Sequence, residues 1–302
     1  MEIRVISVPY RYDEMNQGVG GGPAALLSSG LSEDVARSGA SLVSGGEAFL
    51  DPAEREEGRT AVNIGRLGAS TASLVAEARR QGHPCLILAG DDTAAIGVVS
   101  GLQAAHGAGA RIGIVWIDAH GDFNTPETSY SGILAGMSLA IVAGLAGPNW
   151  RDAARLAAPV STDRIIVGGA RQLDAKEAAL LTVTDVRLFD TANLRELDEW
   201  NRAVIRLAGS LDMISLHVDI DVLDPRLVPS SSTPSPEGLE IDQATAAIGA
   251  VLSTGKVVTY TVCGVNPGGG ARGKRTIESV RQVVADSLDS WTSSPAVLPP
   301  SP

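Results

Sequence analysis

The sequence predicts an α/β domain built around a mostly parallel sheet. Short runs rich in β-branched residues alternate with longer Ala- and Leu-rich stretches, which is the pattern of repeated strand and helix units. The run at 112–117, IGIVWI, is apolar at nearly every position, as expected when helices cover both faces of a sheet. No internal stretch rich in Pro and Ser divides the chain. We therefore expect one domain over residues 1–292 and a disordered tail at 293–302.

The predicted elements follow from these patterns in chain order. The strands are the short apolar runs Ile3–Val8, Cys85–Ala89, Arg111–Ile117, Arg164–Val167, Met213–Asp219 and Lys256–Val262. The helices are the longer stretches whose length and periodicity are typical of amphipathic or buried helices, at Thr60–Gln81, Thr93–His106, Leu173–Leu181, Thr191–Ala208, Ile241–Ser253 and Thr276–Trp291.

Composition and charge exclude several classes of function. The chain has 24 basic and 35 acidic residues and a formal net charge of −11, so nucleic acid and anionic membrane surfaces are unfavourable partners. No apolar run approaches the roughly 20 residues of a membrane span, and the N-terminus lacks a signal-peptide layout. Cys85 and Cys263 lie in apolar, strand-like surroundings and cannot form a disulfide framework. We expect a cytoplasmic protein.

Acidic residues collect where three predicted strands end. Asp91 and Asp92 follow the run CLILAG, the segment DAHGD at 118–122 follows IGIVWI, and DIDVLDP at 219–225 follows MISLHV. Ligands of parallel sheets bind beyond the carboxyl ends of the strands. In an extended chain, residues two apart point the same way, so each DxHxD or DxD set should face one point. The sequence therefore predicts a cage of carboxylates with one imidazole.

Such a cage requires either water or cations, because burying several uncompensated carboxylates is prohibitively costly. Oxygen-rich ligation with one nitrogen suits Mn²⁺ or Mg²⁺, and two alternating ligand sets suit two ions that share a carboxylate. The alternative interpretation is that each Asp caps a helix or turn. His217 points to the same side as Asp219 and either hydrogen-bonds a ligand carboxylate or is an ordinary core histidine.

Three segments resemble the signatures of the ureohydrolases, the arginase and agmatinase family of binuclear manganese enzymes. They are 89–93, 116–137 and 215–225, and the segments 8–31, 168–177 and 265–267 are also similar to that family. The resemblance implies a three-layer α/β/α domain with an eight-stranded, mostly parallel sheet, assembled as a homo-oligomeric trimer or hexamer. It also implies a hydroxide, held between two manganese ions, that attacks a guanidino carbon and releases urea.

The resemblance implies six metal ligands, of which five match the family. Asp118, His120, Asp122, Asp219 and Asp221 match, whereas Asp92 stands where the family has histidine, because GGDHS reads AGDDT here. A fifth carboxylate makes the cluster more negative and weakens its Lewis acidity. We expect two Mn²⁺ ions per chain, or one if Asp92 turns away.

Two further departures concern the reactive end of the substrate pocket. The proton-transferring histidine of the family's SGNxHG motif is Ala135 here, and the carboxylate that precedes VNP in arginases falls on Gly264. A guanidinium without that carboxylate loses a charge-assisted hydrogen bond, worth about 1.5–3 kcal/mol. The departing nitrogen must then take its proton from bridging water or from Asp122, so Asp122 and the ligand His120 are the candidate catalytic residues.

The opposite end of the pocket matches the family. The resemblance implies that Asn124, Ser129 and Ser131 hold the α-carboxylate of an amino-acid substrate and that Asp174 and Glu177 reach its α-amino group. The alternative is ordinary loop polarity. The expected substrate is an amino acid whose distal group is less basic or bulkier than guanidinium, such as N-hydroxyarginine or another amidino or ureido amino acid.

The sequence thus predicts a manganese-dependent hydrolase that cleaves a C–N bond in a small, guanidino-like amino acid. Two other hypotheses stay open. The chain could have lost hydrolysis and bind an amino acid or a partner protein, or it could catalyse a different reaction on the same scaffold.

Overall fold

The computed structural model describes residues 1–294, and its core is an eight-stranded parallel sheet. The strands of this sheet and of a small second sheet are, in chain order, β1 (Glu2–Val8), β2 (Tyr10–Arg11), β3 (Glu14–Met15), β4 (Ser41–Glu47), β5 (Cys85–Ala89), β6 (Ile112–Ile117), β7 (Ile165–Gly168), β8 (Arg187–Phe189), β9 (Met213–Asp219) and β10 (Val257–Cys263). The order across the sheet is β4-β1-β5-β10-β9-β6-β7-β8, and β2 and β3 form a separate antiparallel pair.

Helices cover both faces of the sheet. They are α1 (Gly22–Ser28), α2 (Leu31–Arg37), α3 (Thr60–Arg80), α4 (Ala94–His106), α5 (Ser138–Val142), α6 (Pro148–Ala153), α7 (Ala175–Thr182), α8 (Thr191–Glu196), α9 (Asp198–Gly209), α10 (Ile241–Leu252) and α11 (Ala271–Ser293). Along β6, Val115 and Ile117 pack into the core under α9, α10 and α11, whereas Ile114 and Trp116 pack into the core under α3 to α6. The predicted three-layer α/β fold is confirmed.

Two strands of the sheet were not among those predicted. β4 and β8 lie at opposite edges of the sheet, and most of their residues are half-buried or exposed, so neither shows a continuous apolar run. The single helix predicted at Thr191–Ala208 was also wrong. It is two helices, α8 and α9, because Leu197 between them adopts a left-handed conformation with φ 63°.

The C-terminal helix is longer than the sequence predicted. α11 begins at Ala271 and reaches Ser293, so the first residue of the expected tail is helical, and residues 295–302 lie outside the described part. Among the described helices, none combines the length and apolarity that crossing a membrane requires.

The strand order determines where the acidic segments lie. β5, β10, β9 and β6 are consecutive neighbours in the centre of the sheet, and all run in the same direction. Their carboxyl ends therefore share one edge. The segments that follow β5, β9 and β6 are the acidic ones identified in the sequence.

A candidate metal centre at the carboxyl edge of the sheet

A cavity of about 390 Å³ opens at this edge of the sheet. Its lining includes all six predicted metal ligands: Asp92, Asp118, His120, Asp122, Asp219 and Asp221. The five carboxylates are at most 6% exposed. A larger, more open groove of about 820 Å³ between α9, α10 and α11 lies elsewhere. Within residues 1–294, the close groups of three or more potential metal ligands all involve residues at the first cavity.

The predicted ligands converge by a different route from the one expected. β6 ends at Ile117, so residues 118–122 form a loop, and Asp122 adopts a left-handed φ of 47°. Asp219 is the last residue of β9, and Asp221 lies in a single 3-10 turn. The argument from strand alternation was therefore wrong for these loops, although the side chains do face one cavity. Local hydrogen bonds fix the loops, because Asp118 Oδ1 accepts from the His120 backbone N–H at 2.7 Å.

His120 links the two acidic segments. Its Nδ1 lies 3.2 Å from Asp118 Oδ1 and 3.1 Å from Asp221 Oδ2. Thr233 Oγ1 donates to Asp221 Oδ2 at 2.8 Å, and Trp116 Nε1 donates to Asp118 Oδ2 at 3.1 Å. These contacts fix the directions of both carboxylates before any ligand binds.

Burial and mutual repulsion shift the ionisation of this cluster. Burial, followed by the charge of Asp221, raises the pKa of Asp118 to about 8. Burial and neighbouring carboxylates also raise the pKa values of Asp122 and Asp219 well above the ordinary range. Burial lowers the pKa of His120, but hydrogen bonds to Asp118 and Asp221 outweigh it and raise that pKa to about 11. The metal-free cluster therefore retains protons that a cation would displace.

Asp122 shows that the donor set fits divalent cations. The residue is 5% exposed, and its Oδ2 has no hydrogen-bond partner among residues 1–294. A buried, unpartnered carboxylate oxygen is costly unless something neutralises it. Asp92, Asp118 and Asp122 each offer an oxygen within 4.8 Å of the others, and Asp118, His120 and Asp221 form a second such group. The two groups share Asp118, and their hard oxygen donors suit Mn²⁺ or Mg²⁺.

His217 contacts a carboxylate of the cluster and is also buried in the core. Its ring stacks on Trp116 with centroids 3.6 Å apart, and its Nε2 lies 3.0 Å from Asp92 Oδ1. Cys263, which the sequence analysis assigned only to an apolar strand, lies beside both: its Sγ is 3.1 Å from Asp92 Oδ1 and 3.3 Å from His217 Nε2. Burial raises the pKa of this thiol well above its usual range.

Most of the predicted substrate-binding residues lie on the cavity wall. Asn124, Ser131, Asp174 and Glu177 line the cavity, whereas Ser129 is not among the lining residues. Both oxygens of Glu177 already accept backbone N–H groups, from Phe123 at 2.9 Å and from Asp174 at 3.2 Å. Glu177 therefore caps α7 and holds the acidic loop.

The cavity also contains residues that the sequence analysis did not single out. Arg11 is the last residue of β2, Tyr12 lies in the turn that follows it, and Gln172 and Thr233 come from loops after β7 and β9. Tyr12 is tied to the site because its backbone N–H donates to Asp91 Oδ2 at 2.7 Å. The spacing of these residues carried no signal, since each is an isolated polar residue outside the predicted helices and strands.

Gly264 closes the cavity against Asp219. Its φ is +84°, and a Cβ at this position would lie 2.5 Å from Asp219 Oδ1. We expect Gly264→Ala to lower stability by more than the roughly 1 kcal/mol typical of a positive-φ position and to displace Asp219, weakening Mn²⁺ binding. Chemical denaturation and metal titration measure the two effects. Gly39→Ala is the control, because Gly39 has φ +79° with nothing within 4 Å of its Cβ position. Equal losses in both variants would contradict the contact with Asp219.

Comparison with known proteins identifies the family. The model of the Arginase family matches residues 1–288. The chain belongs to the Arginase family. Arginase-2, mitochondrial, of Homo sapiens is 29% identical over 88% of this chain and 77% of its own length, and the arginase of Bacillus caldovelox is 27% identical over 88% and 91%. The crystal structure of arginase from Bacillus cereus is 26% identical, with a TM-score of 0.83 over 95% of this chain and 98% of that one.

Membership in the Arginase family fixes the broad class of chemistry. Members of this family are hydrolases that act on amidino C–N bonds. The sequence interpretation as a ureohydrolase is confirmed at this level, and the fold agrees over nearly the whole chain.

Proposed function

We propose that this protein is a binuclear, manganese-dependent hydrolase that cleaves a C–N bond of a guanidino- or amidino-type amino acid. The observation that carries the proposal is the convergence of five buried carboxylates and His120 on one cavity, with the Oδ2 of Asp122 unpartnered among the described residues. Such a cluster is stable in its ionised form only with cations between its members.

Two overlapping donor groups would hold the two ions. Asp118, His120 and Asp221 would hold one, and Asp92, Asp118 and Asp122 the other, so that Asp118 is shared. Bound divalent ions supply Lewis acidity, which lowers the pKa of water and polarises the substrate. Trp116 and Thr233 support this arrangement by donating hydrogen bonds to Asp118 and Asp221.

Asp122 is the group best placed to move a proton to the departing nitrogen. Ala135 offers no proton there, and Asp122 lines the same cavity with a carboxylate oxygen that has no hydrogen-bond partner in the described part of the chain. This oxygen, Oδ2, can take up the proton released by the attacking water and pass it to the departing nitrogen. Ile133 and Ala135 make part of the cavity wall apolar.

The lining favours a substrate with an amino-acid end and a modified head group. Asn124 and Ser131 offer hydrogen bonds at one part of the wall, and Arg11 adds a positive charge suited to a carboxylate. Near Asp219, Gly264 provides neither a carboxylate nor any side chain to pair with a guanidinium. N-hydroxyarginine and other substituted guanidino or amidino amino acids fit this distribution better than arginine. A homo-oligomer, trimeric or hexameric, is proposed from the family resemblance.

A substrate panel tests the proposed function. Mn²⁺-loaded protein is assayed for release of urea or a substituted urea from arginine, N-hydroxyarginine, guanidino acids and agmatine, which lacks the carboxylate. We expect turnover of at least one substituted amino acid and little turnover of agmatine. Because Arg11 would pair with the substrate carboxylate, the Arg11→Gln variant should have a KM about tenfold higher than the wild type, and only for substrates that carry a carboxylate. The exposed Arg202→Gln is the matched control. Metal-loaded protein that releases no urea or substituted urea from any member would contradict the proposal.

The departures from the family pattern at Asp92, Ala135 and Gly264 favour one second candidate, an Arginase-family protein that binds an amino acid without hydrolysing it. Calorimetry with the same panel separates the two, because the binder would bind a member of the panel with no product formed.

A further inference from the structure

Three donor atoms of different chemistry meet at one end of the cavity. Asp92 follows β5, Cys263 ends β10 and His217 lies on β9, and these three strands are consecutive in the sheet. The contacts close a triangle: 3.0 Å from His217 Nε2 to Asp92 Oδ1, 3.1 Å from Cys263 Sγ to the same oxygen, and 3.3 Å from Sγ to Nε2. All three side chains are buried. Asp92 lines the cavity, whereas His217 and Cys263 lie behind it and are not part of the lining.

The triangle has nearly the dimensions of a metal site. Zinc bonds of about 2.0 Å to nitrogen or oxygen and about 2.3 Å to sulfur place tetrahedral donors about 3.3–3.6 Å apart. The observed separations are shorter by a few tenths of an ångström, so a small outward movement would admit an ion. Asp219 offers a fourth donor, since its Oδ2 lies 3.9 Å from Cys263 Sγ.

The same geometry argues against a nucleophilic cysteine triad. In such a triad the thiol and the carboxylate contact opposite nitrogens of the imidazole, so that one proton relay runs through the ring. Here both Cys263 and Asp92 contact Nε2, and Nδ1 of His217 has no hydrogen-bond partner among residues 1–294. The thiol is also 0% exposed, which leaves no path for an electrophilic carbon.

A second observation points to a cation on the cavity side of Asp92. Asp122 is buried there, and its Oδ2 has no hydrogen-bond partner among the residues that the structure describes. Asp92, Asp118 and Asp122 present oxygens within 4.8 Å of one another. Asp92 thus stands between oxygen donors on one side and the nitrogen and sulfur donors on the other. An ion at this carboxylate can draw on either set.

We propose that Asp92, His217 and Cys263 form a metal position that takes a thiophilic divalent ion of the Zn²⁺ type in preference to Mn²⁺. Thiolate and imidazole select zinc over manganese, whereas the carboxylates around His120 remain suited to Mn²⁺. Binding breaks the S–H bond of Cys263, forms a metal–sulfur bond and releases the proton to solvent. This inference rests on the proposed function only in that both place divalent ions at the same cavity. It differs in that the ion at Asp92 would be of the Zn²⁺ type and not Mn²⁺.

Cobalt is the probe, because Co²⁺ occupies zinc sites and reports a thiolate ligand by a charge-transfer absorption band. We expect metal-free wild-type protein titrated with Co²⁺ to develop this band, Cys263→Ser to lose it, and Cys85→Ser to keep it. Cys85 is the matched control, since it is equally buried but lies at the start of β5. Cobalt bound by wild-type protein without the band, or a band that survives Cys263→Ser, would overturn the proposal.

Zinc affinity gives a second readout. We expect His217→Phe, which preserves an aromatic ring against Trp116, to weaken Zn²⁺ binding at least about tenfold in competition with a chelator while leaving one Mn²⁺ bound. Unchanged zinc affinity would contradict the assignment of His217. If the Mn²⁺-loaded protein releases urea but the cobalt titration gives no thiolate band, only this inference is contradicted. If the protein binds no metal at all, the proposed function is contradicted as well.

Discussion

Replacing Asp122 by Asn is expected to abolish hydrolysis and at the same time to stabilise the metal-free protein. Burial and neighbouring carboxylates raise the pKa of Asp122 well above its ordinary range, so an ionisable carboxyl at this position lowers the stability of the metal-free fold, and Asn avoids that cost. Asp122 makes no hydrogen bond through Oδ2 within residues 1–294, so the isosteric change breaks no contact of that atom. We expect the free energy of unfolding of the metal-free protein at pH 8 to rise by at least about 1 kcal/mol. Activity should fall at least about 100-fold, equivalent to the loss of about 3 kcal/mol of transition-state stabilisation.

The stabilisation by metal should disappear in the same variant. Because Mn²⁺ binds the folded protein and not the unfolded chain, it should raise the melting temperature of the wild type. The melting temperature of Asp122→Asn should change little when Mn²⁺ is added. Asp185→Asn is the control, since Asp185 is exposed and far from the cavity lining. A variant that keeps both its activity and its manganese response would show that Asp122 is neither a ligand nor a proton carrier.

The metal-free protein is expected to lose stability as the pH rises from 5 to 8. The pKa of Asp118 is about 8 in the folded state, against an unfolded value of about 3.9, so the folded state holds a proton that the unfolded state has lost. Each such proton lowers the free energy of unfolding by about 1.4 kcal/mol per pH unit. His120, whose folded pKa of about 11 exceeds its unfolded value of about 6.5, acts in the same direction above pH 6.5. Asp221, whose pKa is lowered, loses its contribution only below this window.

Denaturation curves at successive pH values, with chelator present, measure this slope. Saturating Mn²⁺ should flatten or reverse it, because the ions replace the protons. The Asp122→Asn variant should show a smaller slope than the wild type, since the pKa of Asp122 is also raised by burial. Metal-free stability that increases from pH 5 to 8 would contradict the described clustering of carboxylates.

The sequence predicted the centre of the molecule better than its edges. Every residue of β5, β6, β9 and β10 is buried because helices cover both faces of the sheet, and the resulting predominance of apolar residues is visible in the sequence. β4 and β8 lie at the sheet edges, where partial exposure removes the apolar signal. The break at Leu197 depends on one left-handed residue, which no local pattern indicates.

The acidic residues of the site could be found in the sequence, but their partners could not. Asp118, Asp122 and Asp219 are close to the ends of apolar runs, and this position alone directs them to one edge. Cys263 pairs with Asp219 across β10 and β9, so its place beside the cluster follows from strand order and register. Strand order is set by packing over long sequence separations, which short-range patterns do not encode.

The metal content of the reconstituted protein tests the central claim most directly. Protein freed of metal with chelator, reloaded with Mn²⁺ and Zn²⁺ together and freed of unbound ions is analysed by elemental mass spectrometry. The convergence of Asp92, Asp118, His120, Asp122, Asp219 and Asp221 predicts two divalent ions per chain, with fewer in Asp122→Asn. A folded wild-type protein that retains no divalent ion under these conditions would contradict the account.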